Sequence, residues 1–310
     1  MWLNIAAVVL GIVALTWSAD RFVEGASGVA LKFNISPLVI GMTIVAIGTS
    51  APEVLVSIMA VTTGAADIAV GNAVGSNIAN IALALGISAL ITSIPVASKV
   101  KTRALPAVLG ITALGTAIAW DGLLNWVDGV IILIAGVIAT WIASAGHDAE
   151  EVPEGADALT LGRSLLWLAL GLGVLLLSAR LLVWGASELA ISLGVPEVLV
   201  GLTVVAIGTS LPEVAASVAG ALKGQAQIAI GNVIGSNIFN IGGVFAVAGL
   251  LAEVPIADTT LHRDFVLMVS LTAAMLVLAW IGRGRIGKLA GGSLIAVYLG
   301  YLAFLTGTNL

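Results

Sequence analysis

Two glutamates stand in segments that ought to expel them. Glu53 lies within "PLVIGMTIVAIGTSAPEVLVSIMAV", and Glu213 within the matching text "AIGTSLPEVAAS". An ionised carboxylate at the bilayer centre costs about 2.5–3.5 kcal/mol on insertion scales, and such residues persist where they face the protein interior and meet a partner. No Lys or Arg sits at matching depth in either segment, so the counter-charge is expected to arrive from solution. Pro52 and Pro212 precede the glutamates. A helical proline donates no hydrogen bond and pushes away the carbonyl four residues back, here that of Gly48 or Gly208. The helices are therefore expected to break around Ala46–Thr49 and Ala206–Thr209, freeing carbonyl oxygens, which are tolerated at membrane depth only where they line a cavity or meet a ligand. Thr49 and Ser50 add hydroxyls, Thr49 one turn before Glu53 on the same face, and Thr209 and Ser210 repeat them. Carboxylates, hydroxyls and carbonyls form a hard-oxygen set suited to Na⁺ and Ca²⁺ rather than to soft metals.

A second polar pattern follows each glutamate. In "GNAVGSNIAN", Asn72, Ser76 and Asn80 recur every four residues and so stripe one helix face; Asn232, Ser236 and Asn240 do the same in "GNVIGSNIFN". Gly71 and Gly75 are expected to admit a neighbouring helix closely. Single Ser and Thr residues in spanning helices mostly bond their own backbone, and Asn stripes can simply hold helices together. A duplicated Thr-Ser-x-Pro-Glu at mid-membrane is not covered by those readings. Asp20, Arg21 and Glu24 read as a local or snorkelling group, Glu188 and Arg180 likewise, and His147 and His262 as solvated loop residues. There is no nucleophile–base pair, phosphate loop or nucleic-acid patch, so neither an enzyme nor a nucleic-acid binder is expected.

These residues need elements to hold them. Of the 310 residues, 60% are hydrophobic and 9% charged, against roughly 25% charged in soluble domains, and mean hydropathy is +1.16. Apolar runs of about 20 residues or more are membrane-spanning helices rather than barrel strands. The first run has no basic segment before it and reads as a spanning helix, not a signal peptide. There are no cysteines, so disulfides and thiolate metal sites are absent.

The chain is duplicated. Gly41–Ile81 aligns with Gly201–Ile241 without a gap, and 24 of the 41 paired positions are identical. The offset of 160 extends to Gly25 and Gly185, Pro95 and Pro255, and Arg103 and Arg263. Spans are expected at 2–31, 36–63, 67–92, 103–120 and 125–144, then at 163–191, 196–222, 226–251, 264–281 and 286–307. The fold class is thus all-α and integral to the membrane: ten helices in two five-helix repeats, residues 1–145 and 164–310, joined by an acidic linker, 146–163. An odd number of spans per repeat inverts one repeat against the other. With both termini outside and the linker cytoplasmic, nine basic residues (Lys32, Lys99, Lys101, Arg103, Arg163, Lys223, Arg283, Arg285 and Lys288) lie inside and only Arg263 outside, a strong positive-inside bias. The cell membrane is the expected location.

At these motifs the sequence resembles the sodium/calcium exchanger branch of the cation/calcium exchanger superfamily, of the prokaryotic or archaeal type. The resemblance spans essentially the whole chain. It implies alternating access in which Na⁺ influx drives Ca²⁺ efflux. It implies Glu53 and Glu213 as central carboxylates shared by Ca²⁺ and Na⁺, Thr49, Ser50, Thr209 and Ser210 as hydroxyl or carbonyl ligands, Ala46 and Ala206 as carbonyl donors, Ser76 and Ser236 as flanking Na⁺ ligands, and Asn80 and Asn240 as the remaining central positions. Na⁺ and Ca²⁺ are then cargo, the bilayer is the medium, and neither a cofactor nor an obligate protein partner is expected; a monomer suffices. Some relatives carry Asp where Asn240 stands. With Asn at both central positions the site holds two formal charges, which one Ca²⁺ neutralises and three Na⁺ exceed by one; this implies electrogenic exchange without K⁺. The large regulatory loop of animal exchangers is absent.

Two other readings compete. A proton/calcium antiporter of the same fold would use carboxylates that bind protons readily, but that branch usually shows Gly-Asn-x-x-Glu where this chain has "GNAVG" and "GNVIG". A passive cation channel or a scaffold would share the helices but not the coupling of fluxes.

Overall fold

The structure, a computed structural model, describes residues 1–146, 159–195, 200, 204 and 206–308. Its long helices are α1 (Trp2–Lys32), the bent pair α2 (Pro37–Thr49) and α3 (Ala51–Thr62), α4 (Ala66–Ile91), α5 (Val100–Ala119), α6 (Trp126–Ser144) and α7 (Leu161–Ser192). They continue with the short α8 (Ala206–Thr209) and α9 (Leu211–Leu222), then α10 (Ala226–Leu251), α11 (Thr260–Ile281) and α12 (Lys288–Thr308). Eight of these are long and apolar enough to cross a membrane unaided, and the α2–α3 pair makes a ninth. The tenth expected span, 196–222, is described only from Ala206 onward and at isolated positions before it. Residues 147–158 of the acidic linker lie outside the described residues, and α7 begins at Leu161, inside the expected linker.

Burial ranks the helices. In α4 and α10 the most apolar stretch is 72% and 78% buried, against 22% in α1 and α7. The two motif-bearing helices are therefore the centre of the molecule, walled by α5, α6, α11 and α12, whose outer faces carry exposed apolar side chains such as Ile134, Val137 and Val277. The α1–α7 pair stands to one side. A Cβ at Gly25 would lie 2.4 Å from the Leu168 nitrogen, and one at Gly171 would lie 2.6 Å from the Phe22 nitrogen. Small residues let the two backbones touch. Gly11 and Gly185 repeat these contacts at equivalent positions of the opposite repeat, so α1 and α7 form one symmetric panel.

Four two-residue strands tie the helix ends together. β1 (Ile94–Pro95) pairs with β4 (Arg285–Ile286), and β2 (Leu123–Leu124) pairs with β3 (Val254–Pro255), both antiparallel. α5 runs from the first pair to the second, so the pairs lie on opposite faces, as inverted repeats require. Other contacts agree. The Arg103 guanidinium donates to the Ala145 carbonyl at 3.2 Å and Lys99 to that of Gly146, while Lys101 stacks on Trp280, all on the β1–β4 face. Trp120 meets the His262 ring edge-on, 5.3 Å between centroids, at the other face.

Two expectations about single residues need correction. His262 is not in a loop; it lies in the first turn of α11, which begins at Thr260, and its ring nitrogen sits 2.9 Å from the Asp258 carbonyl. Asp20 and Glu24 are not a purely local group. Arg21 does pair with Glu24 at 2.6 Å, but Lys223, just beyond α9, reaches Asp20 at 2.8 Å and Glu24 at 3.8 Å. A close helix approach of the expected kind is seen at Gly231 and Gly235, the equivalents of Gly71 and Gly75. A Cβ on Gly231 or Gly235 would lie 2.5 or 2.2 Å from the Leu38 or Met42 carbonyl oxygen. No described residue comes within 4 Å of a Cβ built on Gly71 or Gly75.

Candidate functional site

The site forms where the two kinked spans meet the two central helices. The chain bends by 41° between α2 and α3, at Ser50, whose φ and ψ are −88° and 5°. Residues 46–49 stay helical, so the break falls one residue later than the proline rule alone suggests. Ser210 takes the same conformation, φ −89° and ψ 3°, between α8 and α9. Pro52 and Pro212 sit in the first turn of the helices that follow, where a missing N–H costs nothing. The glutamates thus emerge from the first turns of α3 and α9.

The Ala46 carbonyl, expected to be released, accepts the Ser50 N–H at 3.0 Å and lies 3.3 Å from the Thr49 hydroxyl. In α8 the Ser210 N–H donates to the Ile207 carbonyl at 3.1 Å. The central helices also depart from α geometry next to the site. Asn80–Leu85 and Asn240–Phe245 are π-helical turns, a feature that often accompanies function, and each begins on a predicted site residue.

The structure buries nearly all the expected residues together. Ala46, Thr49, Ser50, Glu53, Asn80, Ser210, Ser236 and Asn240 are 0% exposed, Glu213 1% and Ser76 3%. Thr209 ends α8 and is half-buried. Of Ala206 only the backbone is described. Several polar contacts cross between repeats. The Thr49 hydroxyl lies 3.2 Å from the Asn232 amide oxygen. The Ser50 hydroxyl lies 2.8 Å from Glu213 Oε1 and 3.1 Å from the Ser236 hydroxyl. With one hydrogen to give, Ser50 donates to the carboxylate and accepts from Ser236.

The remaining polar atoms are orphans. Both oxygens of Glu53, Oε2 of Glu213, the hydroxyls of Ser76 and Ser210, and both amide atoms of Asn80 and Asn240 are buried without a hydrogen-bond partner. Buried polar groups are rarely left so. Here they are concentrated on two carboxylates, two amides and two hydroxyls, a buried surface that is oxygen-rich and acidic.

The sequence reading placed Asn72 and Asn232 on the polar stripe but gave them no partner. The Asn72 side chain donates to the Glu53 carbonyl at 3.1 Å and lies 3.3 Å from the Ser57 hydroxyl. Asn232 does the same to the Glu213 carbonyl at 3.1 Å and the Ser217 hydroxyl at 2.9 Å. The stripe is therefore not uniform. Asn72 and Asn232 brace the backbone under each glutamate, while the amides of Asn80 and Asn240 are buried without a hydrogen-bond partner. The signal was available in the equal spacing of Glu and Asn in both repeats, but spacing does not say which atom of the glutamate is held.

Comparison with known proteins agrees with this geometry. The model of the sodium/calcium exchanger protein family matches residues 3–145 and 163–307. CaxA of Alkalimonas amylolytica is 43% identical over 305 residues, covering 95% of this chain and 96% of that protein. The inner membrane protein YrbG of Escherichia coli (strain K12) is 37% identical, covering 98% and 97%. A solved structure of the sodium-calcium exchanger NCX_Mj superposes with a TM-score of 0.85 at 35% identity, covering 97% and 98%. The chain belongs to the sodium/calcium exchanger family; it is a transporter, not an enzyme.

Proposed function

We propose that this member of the sodium/calcium exchanger family is an antiporter that exchanges Na⁺ for Ca²⁺ by alternating access, electrogenic at about three Na⁺ per Ca²⁺ and independent of K⁺. The observation that carries the reading is the set of orphaned buried oxygens on Glu53, Glu213, Asn80, Asn240, Ser76 and Ser210. Two carboxylates buried without a protein cation call for cationic cargo, and hard oxygens suit Ca²⁺ and Na⁺. Both cargoes would use Glu53 and Glu213, so they compete, and competition makes the exchange obligatory. Thr49, Ser50, Thr209, Ser236 and the Ala46 and Ala206 carbonyls complete the ligand set in this reading, and no cofactor is needed. The symmetric α1–α7 panel, separate from the central core, is the element that would move to open the site to each face in turn.

The β1–β4 face, which gathers Lys99, Lys101, Arg103, Arg283, Arg285 and Lys288, is assigned to the cytoplasm by the positive-inside bias. Both termini then lie outside, and the protein belongs in the cell membrane.

The test is ⁴⁵Ca²⁺ uptake into proteoliposomes loaded with Na⁺ and diluted into Na⁺-free medium, beside a sample carrying only a pH gradient. Uptake driven by Na⁺ and lost in Glu53→Gln supports the reading. Uptake driven by pH alone moves the protein to proton coupling, and flux without coupling makes it a channel.

A further inference from the structure

One pair of buried asparagines breaks the symmetry of the repeats. Asn77 and Asn237 are equivalent under the 160-residue offset, and both are 0% exposed. They do different things. Asn77 Nδ2 crosses from α4 to α10 and donates to the Asn237 carbonyl at 3.2 Å. Asn237 Nδ2 turns back on its own helix and donates to the Val233 carbonyl at 2.6 Å. Both Oδ1 atoms are buried and unpartnered.

The carbonyl that Asn77 reaches is a junction. The Asn240 N–H is directed at both the Asn237 and the Ser236 carbonyls where α10 passes into its π turn, and Asn240 opens that turn. The equivalent junction in α4 has the Asn80 N–H directed at Asn77 and Ser76. Asn77 therefore holds the backbone from which one site amide projects, while nothing equivalent holds Asn80.

The wider site is asymmetric in the same sense. Ser50 of the first repeat holds Glu213 of the second, while their equivalents, Ser210 and Glu53, are left without partners. Asn77 and Ser50 of the first repeat both donate to the second, while Ser236 donates back to Ser50.

We propose that Asn77 and Asn237 are positioning residues that exchange roles as the carrier changes facing. In the state seen here Asn77 braces the α10 junction and aims Asn240. In the oppositely facing state Asn237 donates to the Asn77 carbonyl, Asn77 turns back to the Ala73 carbonyl, and Asn80 becomes the braced amide. Each state keeps one crossing bond and one intrahelical bond, so the exchange is nearly balanced; the Met268 sulfur, 3.6 Å from Asn77 Nδ2, is a weak extra contact of the present state. The proposal rests on the antiporter reading only in needing two facing states.

The chain has no cysteine, so single introduced thiols report each face without background. Leu38→Cys lies where α2 seals on Gly231, and Val183→Cys lines a cavity of ≈260 Å³ together with Thr209 and Pro52. In the full-length protein, Asn77→Ala removes the crossing bond of the present state. Labelling at Leu38→Cys is expected to rise and at Val183→Cys to fall about fivefold, the weight of one net hydrogen bond. Asn237→Ala removes the crossing bond of the other state and is expected to shift both rates the opposite way, and the double variant to return near the parent. Asn77→Ser and Asn237→Ser, too short to cross, serve if the alanine variants fold poorly and should show the same opposite signs. Shifts of the same sign in both single variants, or no shift in either, overturn the proposal. Because labelling requires no knowledge of the cargo, a failed Na⁺-driven uptake would overturn the transport reading without touching this result.

Discussion

The Ser50 hydroxyl lies 2.8 Å from Glu213 Oε1, joining the kink of one repeat to the carboxylate of the other. The equivalent pair, Ser210 and Glu53, makes no such bond; the Ser210 hydroxyl and both Glu53 oxygens are buried and unpartnered. A bond to a charged group contributes about 1.5–3 kcal/mol. Ser50→Ala is therefore expected to lower the thermal midpoint of the ion-free protein, and Ser210→Ala to leave it nearly unchanged. Differential scanning fluorimetry in detergent, with chelator and without Na⁺, measures both. Equal losses would mean that the asymmetry of the site is not a property of the ion-free protein.

Neutralising a glutamate should separate stability from binding. Glu53→Gln removes a buried charge that has no hydrogen-bond partner in the ion-free site, so the ion-free variant is expected to be at least as stable as the parent. Its Ca²⁺ affinity should fall by about 100-fold or more, from loss of a charge-assisted contact of roughly 3 kcal/mol. Thermal stabilisation by added Ca²⁺ should vanish with it. Glu213→Gln should lose binding in the same way but gain less stability, since its carboxylate already has Ser50. Calcium-dependent melting curves of the two variants decide this.

The braces beneath the glutamates predict a different failure. Asn72→Ala leaves the Glu53 carbonyl and the Ser57 hydroxyl without the amide that links them, and Asn232→Ala does the same beneath Glu213. An orphaned buried acceptor costs about 1–3 kcal/mol. Each variant is expected to melt earlier and to bind Ca²⁺ more weakly, but to keep coupled exchange, because every proposed ligand remains. Uptake that is slowed but still dependent on an outward Na⁺ gradient is the expected outcome; complete loss would place Asn72 and Asn232 among the ligands.

Much of this was legible in the sequence, for physical reasons that differ by residue. The ten spans follow from apolar length, the inversion from an odd count per repeat, and Glu53 and Glu213 from the cost of charge in a bilayer. The kink was expected at Ala46–Thr49 and falls at Ser50, because the proline rule says which carbonyl is displaced, not which φ and ψ absorb the bend. The π turns at Asn80 and Asn240 leave no mark in hydrophobic spacing. Ser50 and Ser210 read identically in the text, yet only Ser50 reaches the glutamate of the other repeat. A duplicated sequence cannot say which of two equivalent positions is engaged in a given state. The partner of Asp20 and Glu24 was missed because Lys223 is about two hundred residues away in the chain, and only the fold brings the ends of α1 and α9 together.

A packed glycine predicts a gate. A Cβ on Gly235 would stand 2.2 Å from the Met42 carbonyl oxygen, a backbone atom that cannot swing aside. Gly235→Ala should therefore hold α2 away from α10 and oppose the state seen here. Transport is expected to fall sharply, and labelling of a thiol at Leu38→Cys to increase.

Under the proposed three-to-one exchange, the residue at position 240 sets how charge divides between the two half-cycles. With two carboxylates, a Ca²⁺-loaded site is neutral and a site holding three Na⁺ carries one positive charge, so membrane voltage should act on the Na⁺-translocating step. Asn240→Asp adds a third carboxylate at a fully buried position. The Na⁺-loaded site then becomes neutral and the Ca²⁺-loaded site carries one negative charge. The overall charge moved per cycle is unchanged, but the voltage-sensitive step moves from Na⁺ to Ca²⁺. The extra carboxylate should also tighten Ca²⁺ binding, since divalent affinity rises with ligand charge. The measurement is ⁴⁵Ca²⁺–Ca²⁺ self-exchange in proteoliposomes clamped by K⁺ and valinomycin. It should be insensitive to voltage in the parent and sensitive in Asn240→Asp, whereas ²²Na⁺–Na⁺ self-exchange should show the reverse. Voltage-sensitive Ca²⁺ self-exchange in the parent would mean that the site's charge is not two, and that the stoichiometry built on Glu53 and Glu213 is wrong.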